Sequence, residues 1–452
     1  MTKAALPNYM DKHLKHQDIP PGHIFGMYFP VWQNDWKKVD QQKTDALKKA
    51  LSIAPGIQKM QEALVQRQRS AALNHQAIAY FSADSIAPFV TGLGNEHPLE
   101  NGFAFLNPYG LPYFPGSSVK GVLRMAAEEL ALGLYGETQS WDMLTVWLLF
   151  GFEGSASYLS DKVYHIDILD QEAEKRREAY RQWLEQGDYD QDALKIFIRS
   201  VLNEHEQKQY LEDPRQFLKD LPGKDISLQG ALSFWDVYPQ SKNLAMDILT
   251  PHHGEYFQGK HGPHDSEQPN PNVFLTIPPG SRFDFYCTAE AARLPENLQQ
   301  HWQTLLQQAF HYAFDWLGFG AKTAVGYGQM TERPNAMEDL RGEKAKQEQR
   351  QKENAEKLAE QQRLANLPPI EREMAELIQS NNDPQKKDYL VLLDAVKNHA
   401  DWQSEDKEIV LTRVKVMMQE CGDWKETSKK KKPQQDKPHQ RTLEVIRLLK
   451  DF

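Results

Sequence analysis

The chain has 452 residues, more than one ordinary domain usually holds, and 40% hydrophobic with 26% charged residues is the composition of a globular protein with a core. Its two cysteines, Cys287 and Cys421, lie far apart and in no paired spacing, which excludes a disulfide framework and a cysteine-built zinc site. A net charge of −10 excludes a uniformly basic coat, so any contact with a polyanion has to come from a local patch.

No apolar run approaches the roughly 20 residues of a membrane-spanning helix, and the first residues, MTKAALPNYMDKHLKH, hold no signal-peptide stretch. A reducing cytoplasm and no membrane partner are therefore expected. Residues 1–75 open with aromatic-rich loops (Tyr28, Phe29, Trp32, Trp36) and continue with helical spacing over about 39–74. Residues 76–90 read as a strand, with Ile78, Tyr80 and Phe81 in an apolar cluster. Residues 91–114, rich in Gly, Pro and Asn, read as a long loop of the kind that is functional or disordered.

A helix is predicted over 117–135, started by Pro115-Gly116-Ser117-Ser118 and closed by Gly136; a second, very apolar one covers 141–150. Residues 154–226 are charged, helical and poor in glycine, which predicts a helical insertion lying on the surface. Strands follow at 231–238, 272–277 and 282–288, the first two separated by a His-, Pro- and Gly-rich loop over 250–271. A helix over 296–317 leads into GFGAKTAVGYGQM. The polar run 334–366 suits a solvated helix or a linker. Residues 367–452 hold amphipathic helices interrupted by the basic tract SKKKKPQQDK.

Four segments carry chemistry. In PYFPGSSVKGVLR (112–124) a Pro-Gly turn enters a helix through small hydroxyl residues, Ser117 and Ser118, which predicts unpaired amides at the positive end of the helix dipole. Lys120 and Arg124, four apart, share a face near that end, so the segment reads either as a phosphate-binding surface or as an ordinary capped helix with two solvated cations. In GFGAKTAVGYG (318–328) four glycines surround Lys322, Thr323 and Tyr327, a pattern that suits a phosphate-holding loop or a plain turn into a final strand. Neither GxxxxGK[ST] nor GxGxxG is present there, which disfavours NTP or dinucleotide binding.

In the third segment, MDILTPHHGEYF (246–257), Asp247, His252 and His253, with His261, His264 and Asp265 beyond, are metal ligands by type but match no metal spacing. No metal and no cofactor are expected, and His252 with Tyr256 is a conceivable acid–base pair for RNA cleavage. In the fourth, GALSFWDVYP (230–239), Asp236 is expected to anchor backbone or pair with a lysine rather than to catalyse.

Taken in order, PYFPGSSVKGVLR, LFG (149–151), GALSFWDVYP, DILTPHHGEYF, VFLTIPPGSRFDF and WLGFGAKTAVGYG resemble the RAMP superfamily of CRISPR proteins, and within it the family of Cmr subunits numbered six. The Pro-Gly-Ser-Ser-x-Lys-Gly-x-x-Arg motif falls on Pro115, Gly116, Ser117, Ser118, Lys120, Gly121 and Arg124. The Asp-x-x-x-Pro-His segment falls on Asp247, Pro251 and His252. The terminal glycine-rich loop falls on Gly318, Gly320, Lys322, Thr323, Gly326, Tyr327 and Gly328. Coverage runs from about 76 to 332, leaving 154–226 and everything past about 335 outside the pattern.

The resemblance implies an α+β, ferredoxin-like core of βαββαβ type over 76–333, preceded by a helical and loop segment over 1–75, carrying the insertion, and followed by the 334–366 run and a helical extension over 367–452. It implies a non-catalytic subunit of a type III-B (Cmr) effector complex in antiviral defence, binding guide RNA towards its 3′ end beside backbone and small subunits, and it leaves contact with target RNA open. RNA contact then falls to Gly116, Ser117, Ser118, Lys120, Arg124, His252, Gly320, Lys322, Thr323 and Tyr327. The rival expectation is a metal-independent endoribonuclease built on His252 or His253. The helices past 335 suggest subunit docking.

Overall fold

In the computed structural model the described residues are 2–10, 18–39, 42–98, 101–134, 140–154, 156–159, 167–187, 189–222, 224–250, 259, 262, 271–381, 383, 385–398, 402–428 and 433–451. The predicted roles of His252, His253, Tyr256, His261, His264 and Asp265, and the helix stop at Gly136, fall outside them. The chain divides into two units, Met1–Lys344 and Ala345–Phe452.

The larger unit begins with α1 (Pro21–Gly26), α2 (Lys43–Lys49) and α3 (Pro55–Leu73), the last opened by a proline whose missing N–H costs nothing in a first turn. Next come β1 (Ile78–Ser85), a short hairpin of β2 (Phe105–Leu106) and β3 (Leu111–Pro112), then α4 (Gly116–Ala131) and α5 (Met143–Phe150). Asp142 caps α5, accepting from the Thr145 N–H at 2.9 Å. Strand β4 (Gly151–Glu153) pairs with β5 (Ser227–Gln229), and that ladder brackets α6 (Asp167–Gln186), α7 (Gln191–Val201), α8 (Glu204–Glu212) and α9 (Pro214–Lys219). The unit is completed by β6 (Leu232–Phe234), the β7 (Ala245–Leu249) and β8 (Asn272–Thr276) pair, β9 (Arg282–Ala289), α10 (Glu296–Tyr312) and β10 (Met330–Glu332).

Four of these strands form an antiparallel sheet in the order β10-β1-β9-β6, so the unit is a mixed helix-and-sheet fold. Period-2 alternation gives the sheet two faces. Ala79, Phe81 and Ala83 of β1 with Phe283, Phe285 and Cys287 of β9 join the main core beside α4 and α10, where Phe81 stacks on Phe310 at 4.0 Å. Tyr80 and Tyr286 stack at 4.9 Å on the opposite face, with Ala72 of α3 and with Ala336 and Leu340. On that face Asp284 accepts from Tyr80, Ser82 and Gln240 at 2.7–2.8 Å and from Arg282 at 3.0 Å, which satisfies a carboxylate buried in the sheet.

Three expectations change. The 91–114 loop is packed, since Phe103, Ala104, Leu111 and Phe114 are buried. The 154–226 segment is helical but not superficial: Trp183, Leu194, Phe197, Ile198, Phe217 and Leu218 are buried in the main core around Trp147. Strand β7 was not foreseen, because its half-buried pattern gives no clear alternation.

The smaller unit begins within α11 (Ala336–Ala365), a 30-residue helix exposed along most of its length past 345. Beyond it come α12 (Pro369–Gln379), α13 (Asp388–Asn398), α14 (Ser404–Glu420) and α15 (Lys437–Lys450), packed on a mostly aliphatic core of Leu392, Val410, Leu411, Val414, Met418 and Val445 in which Tyr389 and Trp402 are also buried. Gln403 and Asp406 form a capping box at the start of α14. Among the described residues no helix is long and apolar enough to cross a membrane.

Candidate nucleic-acid interface

Helix α4 starts where the chain crosses the exit of β6. Phe114 and Val237 exchange backbone hydrogen bonds at 2.8 Å in both directions. This brings Gly116 so close to the Phe234 carbonyl that a Cβ would clash with it. The Gly116 N–H donates to the Asp236 carboxylate at 2.8 Å, and the Ser118 and Val119 amides donate to Pro115 O at 2.9 and 3.1 Å. The predicted row of free amides is therefore mostly used, and a carboxylate already sits at the positive end of the helix. Asp236 anchors backbone, as its place near a strand end suggested. Ser117, Ser118 and Gly121 remain on the exposed side of α4.

Lys120 and Arg124 do share a face, but it turns towards the insertion. Arg124 Nε donates to Glu128 Oε1 at 2.9 Å; Arg176 of α6 lies 3.6 Å from Glu128 and 2.8 Å from Glu129. Tyr312 of α10 donates to the second oxygen of Glu129 at 2.8 Å. Two arginines thus balance two glutamates whose side chains are 11% and 8% exposed, an arrangement that holds α4, α6 and α10 together. Burial, and then the charge of Arg124, lower the Lys120 ammonium, against the pull of Glu153. Arg124 is committed to this network rather than extended into solvent, the opposite of what four-residue spacing alone suggested.

The 318–328 loop follows a single π-type turn, Ala313–Leu317, that ends α10. Gly320 has φ 89° and lies against the Val90 carbonyl with no room for a Cβ. The Phe319, Ala321 and Gly328 amides donate to Gly328 O, Val90 O and Pro88 O at 2.8–2.9 Å, and Val325 and Gly326 close a short turn on Lys322 and Thr323. Glycine here serves mainly to pack loop against strand exit, and these amides do not point at an open anion site. Lys322 holds a left-handed φ of 63°, which costs a side-chain-bearing residue about 1–2 kcal/mol.

That conformation places the Lys322 ammonium 5.4 Å over the Phe274 ring of β8. Opposite Phe274 in the ladder stands Asp247, which accepts from the Tyr327 hydroxyl at 2.7 Å. Burial, then that bond and the carboxylate charge, push the phenol up to about 12. The structure thus gathers Asp247, Lys322 and Tyr327 from two separate motifs, with Thr323 half-buried beside them. The α4 motif reaches the same region through Phe114, whose ring meets Phe89 at 5.1 Å and Phe319 at 6.3 Å. Arg176, Glu128, Glu129 and Tyr312 escaped sequence reasoning because their pairing is long-range. The only local hint was the i, i+4 spacing of Arg124 and Glu128.

Among the described residues no three metal-ligating side chains cluster. Residues 83–331, more than half of the chain, match the RAMP superfamily. Over 258 residues, 54% of the chain, the sequence is 26% identical to the CRISPR system Cmr subunit Cmr6 of Pyrococcus furiosus; the match covers 64% of that protein's length, just under two thirds. Similar solved structures include the type III-B Cmr-beta complex bound to cognate target RNA, at 16% identity over 65% of this chain and 71% of that one, TM-score 0.33. They also include Cmr6 from Pyrococcus furiosus, at 21% identity over 57% and 97%, TM-score 0.25. A third is a CRISPR RNA-guided surveillance complex, pre-nicking, at 13% identity over 56% and 76%, TM-score 0.24.

Proposed function

This chain belongs to the RAMP superfamily, and from that premise we propose that it is a non-catalytic backbone or capping subunit of a type III-B Cmr effector complex. It binds guide RNA towards the 3′ end, packs on neighbouring backbone and small subunits, and works in the cytoplasm. The observation that carries this reading is the match over 83–331, which contains all six motifs in order, joined by the likeness to a relative named as a Cmr subunit. The sheet order β10-β1-β9-β6, with α4 between β1 and β6 and α10 between β9 and β10, supports a ferredoxin-like βαββαβ core.

The exposed Ser117–Ser118 turn, Lys120 and Lys322 are the best-placed RNA contacts, and Arg124 acts by fixing α4. Co-expression with the companion subunits, followed by mass spectrometry and RNA sequencing, should recover a multi-subunit particle with a short RNA. A Lys120→Glu, Lys322→Glu variant should retain less guide RNA while its circular dichroism is unchanged. Recovery of the lone chain without RNA would refute the role. Discrete cleavage of guide precursor, lost on His252→Ala with His253→Ala, would install the endoribonuclease reading instead.

A further inference from the structure

A cleft of about 400 Å³, remote in sequence from the glycine loop, opens between α3 and the chain leaving β6, lined by Leu64, Arg67, Gln68, Trp235, Asp236 and Tyr238. Its chemistry is mixed in a particular way. Trp235 packs on Tyr286 (5.5 Å between centroids, 34° between planes) yet remains only half-buried, as does Tyr238, so two aromatic surfaces reach solvent in one place. Arg67 is exposed, and its Nη2 donates to the Tyr109 hydroxyl at 3.2 Å. Arg69, Arg124, Arg176, Arg282 and Arg333 each face a carboxylate, whereas among the described residues none pairs with Arg67. It is a pre-oriented cation with donors to spare.

The polar atoms between these groups suit the edge of a base. Gln68 Nε2 donates to the Asp236 backbone carbonyl at 2.6 Å, which fixes the amide and leaves its own carbonyl as an acceptor. One Asp236 oxygen accepts from Gly116 N–H at 2.8 Å. The charge of Asp236 is offset by the start of α4, so it need not repel a ligand. Burial, and then the Asp236 charge, push the Tyr238 phenol up, so it stays a neutral donor. Aromatic surfaces, an unpaired guanidinium and acceptors that want N–H groups are the elements of single-stranded base recognition.

We infer that this cleft takes one unstacked nucleobase of single-stranded RNA, stacked against Trp235 or Tyr238, with its phosphate on Arg67. The acceptors Gln68 and Asp236 select a base with an exocyclic amine (cytosine, adenine or guanine) over uracil. The inference rests on the RNA-binding reading above and adds to it a site and a base preference.

The test uses the full chain and fluorescein-labelled 12-nucleotide oligomers of C, A and U in anisotropy titrations. Oligo-C and oligo-A should bind more tightly than oligo-U. Arg67→Glu and Tyr238→Ala should each weaken oligo-C binding about tenfold. Tyr238→Phe, which keeps the ring, should lose less, and circular dichroism should match the parent for all three. An oligomer carrying 5-iodocytidine should photo-crosslink to the peptide holding Trp235 and Tyr238. Free CMP competing as well as the oligomer would overturn the strand assignment. Unchanged affinity in the variants, with crosslinks elsewhere, would overturn the cleft while leaving RNA binding intact. Unchanged RNA affinity with loss of a neighbouring subunit from the assembled complex would make it a protein-docking surface instead. If neither the chain nor the assembled complex holds RNA, the underlying role fails as well.

Discussion

The inserted helices α6–α9 and the C-terminal helices α12–α15 look alike in sequence, both charged and both with apolar residues at helical spacing, yet they end differently. The insertion contributes Tyr180, Trp183, Phe197 and Phe217 to the core of the larger unit, where Trp147 meets Phe197 at 5.0 Å and Trp183 at 5.9 Å. The C-terminal helices close on a core of their own in which Leu392, Val410, Leu411, Val414 and Met418 predominate. The difference lies in the apolar residues, not the charges. A large aromatic side chain buries about 150–250 Å², and the insertion sets a cluster of four of them into the deeper core, whereas the C-terminal core buries Tyr389 and Trp402 among mostly aliphatic neighbours. Aliphatic side chains of helix pitch interdigitate within a small bundle.

The largest expected effect probes the insertion. Phe197→Ala should destabilise the larger unit by about 4 kcal/mol, seen as a lower midpoint in urea; a loss confined to local helix content would break the comparison. Arg176→Ala leaves Glu128 and Glu129 short of positive charge and should cost about 3 kcal/mol, with proteolysis exposing the ends of α4 as a second readout. Met418→Ala should cost about 2 kcal/mol and move the calorimetric transition of the C-terminal unit alone. A shift of both transitions together would mean that the two cores are not independent.

The smallest effect is pH-dependent. Burial raises the Asp423 carboxyl, but hydrogen bonds from Lys387 at 2.6 Å and Tyr389 at 2.7 Å outweigh it, and its pKa ends below the ordinary value. A depressed carboxyl contributes stability that is present above the unfolded value near 4 and lost as pH falls through the folded one. Amide exchange in α13 and α14 should therefore accelerate on acidification below about pH 4, and Asp423→Asn should flatten that dependence.

Much was legible locally. The strand at Ile78, the helix that begins at Gly116, the apolar helix before Gly151 and the long helix from Glu296 all follow from spacing and punctuation. The motif set pointed to the superfamily that the 83–331 match establishes. The candidate site was legible only in part. Lys322 and Tyr327 do stand together with Asp247, but the glycines around them mostly pack backbone on backbone.

By itself, then, the sequence determined most of the helices and the strands at β1, β6, β8 and β9, because those preferences act over a few positions. Tertiary structure alone decided that Arg124 is held in an ion network, that the backbone amide Asp236 anchors is that of Gly116, and that Gln68 meets Asp236 from 168 positions away. Such pairings are selected by packing and by the cost of leaving a buried charge or amide unmatched, and neither is written in local spacing.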